Sequence, residues 1–433
     1  MPVPTGRLAL AVAVGSVVVL GVDPPWGLVG VNTALFVVAL VDWSLAVRPS
    51  AIAVERELPG VVQLGADAEV VWRVRNPSDR RLHVRVSDEL APSLRATTRR
   101  VRLTLPRRAR VSARARFRPS RRGRFEPTEV VVRVDGPMRL AARQQRRSLP
   151  GVLRVHPSFR SRADAELRID RARILEVGLR SARGRGGGTD FDQLREYQVD
   201  DEFRRVDWSA TARAGRPIVR TYRAERNQTV LLLLDTGRTM AGRIEGLPRL
   251  DHAMDAVMTV TAVATRLGDR AGLVAFDAEV RSVVGPGHAR DQLRRVTDAM
   301  YALEPRLWES DYRGAFVTTL ARFRRRALLV VCSELTEQAV SETLLPALPL
   351  VARDHVVVVA AARDPQLDAF AASVPSDASG AYRKAAAVAA LDARRRLVAR
   401  LRRLGVTVVD EPPGRLAPRL ADAYLDVKAT GRL

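Results

Sequence analysis

Thr229-Val230-Leu231-Leu232-Leu233-Leu234-Asp235-Thr236-Gly237-Arg238-Thr239 decides the fold of the C-terminal half. The apolar run 229–234 has no period-2 alternation. A strand reads this way when both of its faces are covered. Helical spacing follows over 250–267, then a second such strand over 271–276 that ends at Asp277. The beat continues with helices over 288–303 and 315–323 and strands over 327–332 and 355–361. A long Ala/Arg helix over 381–404, a strand over 406–409 and a helix over 419–428 complete it. Strands alternating with helices predict an α/β domain of Rossmann type over 226–433, with a parallel sheet between two helical layers. Ligands of such sheets bind beyond the carboxyl ends of the strands. Asp235 and the residues after the other strands are therefore the first candidates for a site.

Upstream the rhythm changes. Segments 68–75, 82–86, 101–105 and 111–117 alternate apolar and polar residues, with Asn76-Pro77-Ser78 as a turn between two of them. A two-residue period indicates half-buried antiparallel strands. Several of them over 48–150 predict a β-rich, sandwich-like domain. Its arginines fall mostly on the polar positions, as an ordinary solvated face would have them. An electrostatic patch facing lipid is the rival reading.

The first 47 residues hold two apolar runs, about 6–22 and 26–47, separated by Asp23-Pro24-Pro25. The second reaches the roughly 20 residues that span a bilayer; the first is short unless Arg7 snorkels. A cleaved signal peptide is the alternative for the first run, but no small-residue cleavage pattern follows it. Two membrane-spanning helices are expected. Arg7 lies before the pair, Arg48 and Arg56 after it, and the turn has no Lys or Arg. The positive-inside rule then places both termini in the cytoplasm of a multi-pass inner-membrane protein. Asp42, near the end of the second run, reads as a headgroup-level residue.

The 433-residue chain has a net charge of +24, almost all of it arginine: Lys384 and Lys428 are its lysines. The bias, with heavy Ala, Val and Leu usage, reads as a GC-rich genome plus a solvated surface. Anionic lipid is a second reading. Nucleic acid is a third, with no helix-turn-helix, zinc-knuckle or RNP signature behind it. Cys332 is the single cysteine, so an intrachain disulfide and thiolate clusters are excluded. It sits in a buried-strand pattern as a packed thiol. His252, His288 and His355 lack metal-ligand spacing and read as packing or surface residues.

The segment 151–225 is the most distinctive. Gly184-Arg185-Gly186-Gly187-Gly188 has glycines but no following Lys-Ser or Lys-Thr, so it is not a P-loop. The charges that follow alternate in sign through Asp190, Asp192, Arg195, Glu196, Asp200, Asp201, Arg204, Arg205, Asp207 and Arg213. Arginine forks suit carboxylates. An ion-pair latch between two domains is expected, with a partner-docking surface and a catalytic site as alternatives.

This segment resembles the signature of a bacterial family catalogued as domain of unknown function 58. The resemblance rests on Phe191, Leu194, Arg195 and Tyr197, then on Asp201, Arg204, Asp207, Trp208, Ala212 and Arg213. Arg122-Gly123-Arg124-Phe125, Val155-His156-Pro157 and Asp135-Gly136-Pro137-Met138-Arg139-Leu140 extend it. The last resembles an Asp-Pro-Phe-Gly-Leu segment, with Gly136-Pro137 as a departure.

Asp235-Thr236-Gly237-Arg238-Thr239 resembles the Asp-x-Ser-x-Ser metal loop of von Willebrand A domains. That resemblance implies a Mg²⁺ held by hard oxygen ligands, with an open position for a partner's carboxylate. Asp235 and Thr239 match. Gly237 replaces the first hydroxyl residue, Ser310 and Asp311 stand in the second loop in place of a Thr, and Glu334 stands where an Asp is expected. The reading is a degenerate loop that keeps its shape, with Mg²⁺ the ion it would take if filled.

The expected function is a non-catalytic, membrane-anchored scaffold or adaptor whose A-like domain binds a protein partner. The family resemblance implies a MoxR-type AAA+ ATPase, in assembly or envelope maintenance. The alternatives are a hydrolase or transferase acting on envelope substrates, and a basic lipid- or nucleic-acid-surface binder.

Overall fold

The computed structural model describes residues 2–20, 26–182, 190–198, 201, 203, 206–223 and 228–430. The turn Asp23-Pro24-Pro25, the glycines 184–188, Asp200, Arg204 and Arg205 lie outside the described residues. The chain divides into two compact units, Met1–His156 and Pro157–Leu433. That boundary falls inside the segment 151–225 set apart by composition.

The first unit begins with a short strand, β1 (Pro2–Pro4), and two apolar helices, α1 (Gly6–Leu20) and α2 (Trp26–Leu45). The helical stretch Trp26–Ala51 is the one that is long and apolar enough, among the described residues, to cross a membrane. α1 has 15 residues, a rise of roughly 22 Å against a hydrocarbon core of about 30 Å. Length and apolarity by themselves therefore support one membrane-spanning helix, α2, and α1 alone falls short of that length.

Ten strands follow: β2 (Ala53–Glu57), β3 (Val61–Gln63), β4 (Ala68–Arg75), β5 (Leu82–Asp88), β6 (Arg100–Leu105), β7 (Arg110–Phe117), β8 (Gly123–Phe125), β9 (Glu129–Asp135), β10 (Ala141–Ser148) and β11 (Leu153–His156). They form sheets ordered β1-β10-β9-β5-β6, β2-β4-β7 and β3-β11-β8. Alternation does what the sequence predicts: Leu82, Val84 and Val86 are buried while His83 and Arg85 face outward. Trp72 is buried on β4 and donates through Nε1 to Asp88 Oδ2 of β5 at 2.5 Å, which ties two of the sheets. Asp88 also takes Arg56 Nη1 at 2.5 Å, so both buried charges are paired.

Asp42, read as a headgroup-level residue, has specific bonding partners. It is fully buried and accepts the backbone N–H groups of Met138, Leu140 and Ala141 at 2.7, 2.8 and 2.9 Å. Thr5, one residue before α1, donates to the carbonyl oxygens of Arg139 and Leu140. Arg143 reaches the Trp43 and Ser44 carbonyls and stacks over the Trp43 ring. The start of α1 and the end of α2 thus grip one turn, 136–141. Arg139 sits there at φ 60°, at the position where the resembled segment carries glycine. Asp42→Ala orphans three N–H groups and should lower the stability of this unit by about 1–3 kcal/mol. Urea unfolding of the full chain in micelles measures it; an unchanged midpoint would mean that water satisfies the turn equally well.

In the second unit, α3 (Arg162–Ala182) is followed by β12 (Asp190–Glu196), α4 (Trp208–Ala214) and β13 (Ile218–Arg223); β12 and β13 pair antiparallel. Then come β14 (Thr229–Asp235), a small hairpin of β15 (Arg243–Ile244) and β16 (Leu247–Pro248), α5 (Arg249–Arg266), β17 (Arg270–Phe276) and β18 (Val280–Gly287). The chain continues through α6 (Gln292–Met300), α7 (Tyr312–Arg322), β19 (Leu328–Cys332), α8 (Leu345–Ala347), α9 (Pro349–Ala352) and β20 (Val356–Ala362). It closes with α10 (Pro365–Ala372), α11 (Ala378–Arg403), β21 (Thr407–Glu411) and α12 (Pro413–Ala429).

The six-stranded sheet runs β18-β17-β14-β19-β20-β21. Its pairs are parallel except β17–β18. Val230, Leu232 and Leu234 pack with α5 and α12 on one face, whereas Leu231 and Leu233 pack with α7 and α11 on the other. That division is why β14 is apolar at every position. The chain is therefore multidomain, with a β-rich unit and a mixed α/β unit. The antiparallel edge strand β18, which ends in Gly285-Pro286-Gly287, was not expected from the sequence. An edge strand tolerates proline, since one side of it needs no ladder bonds.

Candidate functional site

β14 ends at Asp235, and its neighbours β17 and β19 end at Phe276 and Cys332. The residues just beyond β14 and β19, together with the loop that leads into α7, meet at one fully buried carboxylate, Asp235. Asp235 Oδ1 accepts from Gly237 N at 2.8 Å and Ser310 Oγ at 2.6 Å. Oδ2 accepts from Tyr312 OH at 3.0 Å and Ser333 Oγ at 2.5 Å. Burial pushes the Asp235 carboxyl above its ordinary value, and the hydrogen bonds from Ser310, Ser333, Gly237 and Tyr312 only partly oppose it. Burial first, and then the Asp235 charge, push Tyr312 well above the ordinary tyrosine value, so it remains a donor.

Gly237 has a specific reason to be glycine. A Cβ there would fall inside contact distance of Ser310 Oγ and lie 2.9 Å from the Trp308 carbonyl oxygen. The hydroxyl missing from position 237 is thus supplied from the neighbouring loop by Ser310. Gly237→Ser should cost about 1–3 kcal/mol through overpacking. The swap Gly237→Ser/Ser310→Gly should recover most of it in thermal denaturation. A swap no better than the single variant would show that the two positions do not share this space.

Next to Asp235, Thr236 is buried and donates to Phe276 O at 3.0 Å. Arg281 Nη1 lies 3.5 Å from Asp277 Oδ2, and Arg306 Nε 3.9 Å. Arg306 N donates to Thr236 O and Arg238 N to Trp308 O, each at 2.9 Å. The Arg238 side chain pairs with Glu309 at 2.6 Å. The loop 306–310 is therefore fastened along its length, yet Leu307 and Trp308 are 77% and 65% exposed.

Of the five residues read as metal ligands, the structure brings together Asp235 and Ser310. Thr239 lies on the 3₁₀ turn Arg238–Ala241 and makes no bond to Asp235. Asp311 caps α7 by accepting from Gly314 N at 2.9 Å. Glu334 is 5% exposed and faces two guanidinium groups, Arg249 Nε at 3.1 Å and a close contact with Arg394 Nη1. Asp277, another acid of this region, faces Arg281 and Arg306. With both Asp235 oxygens filled by protein donors and Glu334 neutralised, the donor set does not fit a divalent cation. Ser333, Tyr312 and Thr236, absent from that set, complete the cluster. Ser333 was legible as the residue after a strand tip, by the same rule that selects Asp235.

Arg394, on α11, holds Glu334 on one side and Asp410 of β21 at 2.8 Å on the other. Burial pulls its pKa down, and the Glu334 charge and the Asp410 hydrogen bond more than reverse this, so the net direction is upward. Burial pushes the Cys332 thiol up to about 12, as expected of a packed core group. His252 and His355 are buried and bond to the Ile244 carbonyl and the Ala327 N–H.

The signature segment makes local ion pairs. Arg195 grips Asp201 with two bonds of 2.6 and 2.7 Å. Asp207 caps α4 through Ala210 N at 3.0 Å and takes Arg220 Nε at 2.7 Å. Arg213 Nε donates to Ser209 O. Trp208 is exposed and meets Phe203 edge-on at 5.5 Å. Leu194 and Ala212 are also exposed, and the Tyr197 N–H bonds to Pro217 O. Phe191 is placed by its β12 backbone alone, and Arg204 lies outside the described residues.

Residues 193–402 match the DUF58 family, described as a protein of unknown function. The match takes in the signature from Leu194 to Arg213 and the whole Asp235 cluster. Uncharacterised proteins of Mycobacterium tuberculosis and Mycobacterium bovis are 29% identical over 153 residues, 34% of this chain and 48% of theirs. The chain spans about half the length of these curated relatives. The family match supports DUF58 for residues 193–402. Among solved structures, BatB of Bacteroides thetaiotaomicron, a conserved hypothetical protein, is 10% identical over 47% of this chain and 100% of its own, with a TM-score of 0.29. The CARDB domain of a Pyrococcus furiosus protein covers 24% of this chain and 94% of its own, at 16% identity and a TM-score of 0.17.

Proposed function

We propose that this protein is a membrane-anchored adaptor whose α/β unit, of von Willebrand A type, docks a protein partner on the loops at the strand tips. One observation carries the reading: Leu307 and Trp308 stand exposed on a loop that hydrogen bonds to the Asp235 loop fasten at both ends. An exposed tryptophan fixed in advance is the kind of anchor that dominates protein interfaces, and prior ordering lowers the entropy lost on binding. The partner class is a MoxR-type AAA+ ATPase, as the DUF58 resemblance implies. α1 and α2 form the anchor as a helical hairpin. The arginines flanking the pair keep both termini in the cytoplasm, and Thr5 and Asp42, gripping one turn, fit helix ends on the same side. The Asp235 loop acts by shape, without an ion.

The test is affinity capture of full-length protein from its own membranes, comparing wild type with Trp308→Ala, which changes an exposed side chain only. Co-elution of the ATPase with wild type and a loss of roughly tenfold or more in the variant is the expected result. Equal recovery from both would remove this loop from the mechanism.

A further inference from the structure

On the outward face of the β-rich unit, Arg102, Arg85 and Arg133 lie directly opposite one another across β6, β5 and β9. Like charges in register on adjacent strands repel. A single carboxylate answers them: Asp135, 2.8 Å from Arg85 and 3.8 Å from Arg133. Arg102 has no carboxylate partner among the described residues, and neither do Arg7 and Arg139.

A cavity of about 480 Å³ opens beside this rung, with Arg7, His83, Arg85, Arg102, Arg139 and Asp135 in its wall. Thr5 and Gly6 also border it, so it sits where α1 begins. With the apolar helices in a bilayer, that level is the headgroup layer, where arginine and phosphate meet bidentately.

We propose that this arginine cavity binds the phosphate of an anionic phospholipid at the foot of the apolar helices. A bound phosphate supplies the negative charge that the rung lacks. Two groups beside the rung are shifted by burial, with the neighbouring arginines adding to it. Burial first, then Arg139, with Arg81 and Arg7 behind it and Asp135 opposing, holds His83 below its ordinary value. Burial and then Arg85 lower Arg133. The inference rests on the membrane anchoring proposed above.

Native mass spectrometry of full-length protein released from nanodiscs tests it, with phosphatidylcholine alone or mixed with phosphatidylglycerol. Wild type should retain phosphatidylglycerol selectively. Arg102→Gln/Arg139→Gln should weaken that retention roughly tenfold or more. Arg75→Gln/Arg114→Gln, which removes the same charge on another sheet of the unit, should not. Equal loss in both variants would reduce the effect to net charge and overturn the site, as would no loss in either. Inorganic phosphate, titrated against protein in detergent, separates the sources: binding as tight as that of the lipid would assign the cavity to free phosphate instead. Carbonate extraction of vesicles runs in parallel. Release of wild type by carbonate would sink the anchoring itself, whereas retained protein without lipid preference would sink the cavity alone.

Discussion

Arg394→Ala should destabilise the α/β unit by about 3–5 kcal/mol, the range for a buried ion pair that loses one partner. Arg394 is 7% exposed and joins three elements: Glu334 beyond β19, Asp410 on β21 and its own helix α11. Removing the guanidinium leaves Glu334 with Arg249 alone and Asp410 without its fork. Arg394→Lys keeps the charge but not the two-sided geometry, so it should lie between wild type and alanine. Chemical denaturation gives the midpoints. In a double-mutant cycle with Glu334→Ala, the combined loss should be well below the sum of the single losses, because the stranded acid is gone. Additive losses would show that the two side chains do not act on each other, and the network would then be no more than proximity.

Asp235→Asn should cost about 2–4 kcal/mol, although it is nearly isosteric. All four partners donate to the carboxylate, and an amide nitrogen turns one acceptor into a donor facing other donors. The pH dependence adds a second signature. The folded carboxyl titrates above its ordinary value because burial disfavours the charge. In the window between the unfolded and folded values, the folded state holds a proton that the unfolded state has lost. This group's contribution is therefore present below the ordinary aspartate value and declines as pH rises through the folded value. Asp235→Asn should flatten that decline. Midpoints measured across the acidic range decide it; parallel slopes in the two proteins would mean that Asp235 titrates normally, with solvent reaching it. Loss of the carboxylate should also loosen the loop that carries Trp308, through its bond to Ser310.

What was legible in the sequence follows from local rules. Apolar runs such as 229–234 must be covered on both faces, so a strand-helix order forces a parallel sheet, and strand tips become the place to look. That reasoning found Asp235, and the von Willebrand A resemblance added Ser310. It missed the work done by Ser333 and Tyr312, which reach Asp235 from 98 and 77 residues away. Glu334 entered the degenerate metal loop because it stands where the von Willebrand A resemblance expects an Asp. The two arginines that occupy it come from α5 and α11, and periodicity does not name them.

Asp42 teaches the same lesson at the other end of the chain. Its position near the end of an apolar run was plain, but its three N–H donors lie 96 to 99 residues downstream. The amino-acid order by itself determined the α/β and β-rich units and the apolar start, because each follows from burial repeated at a fixed spacing. The tertiary structure alone decided which donors meet each buried acid. A hydrogen bond is satisfied by whatever group the packed backbone brings within 3 Å, and local pattern carries no record of that distant address.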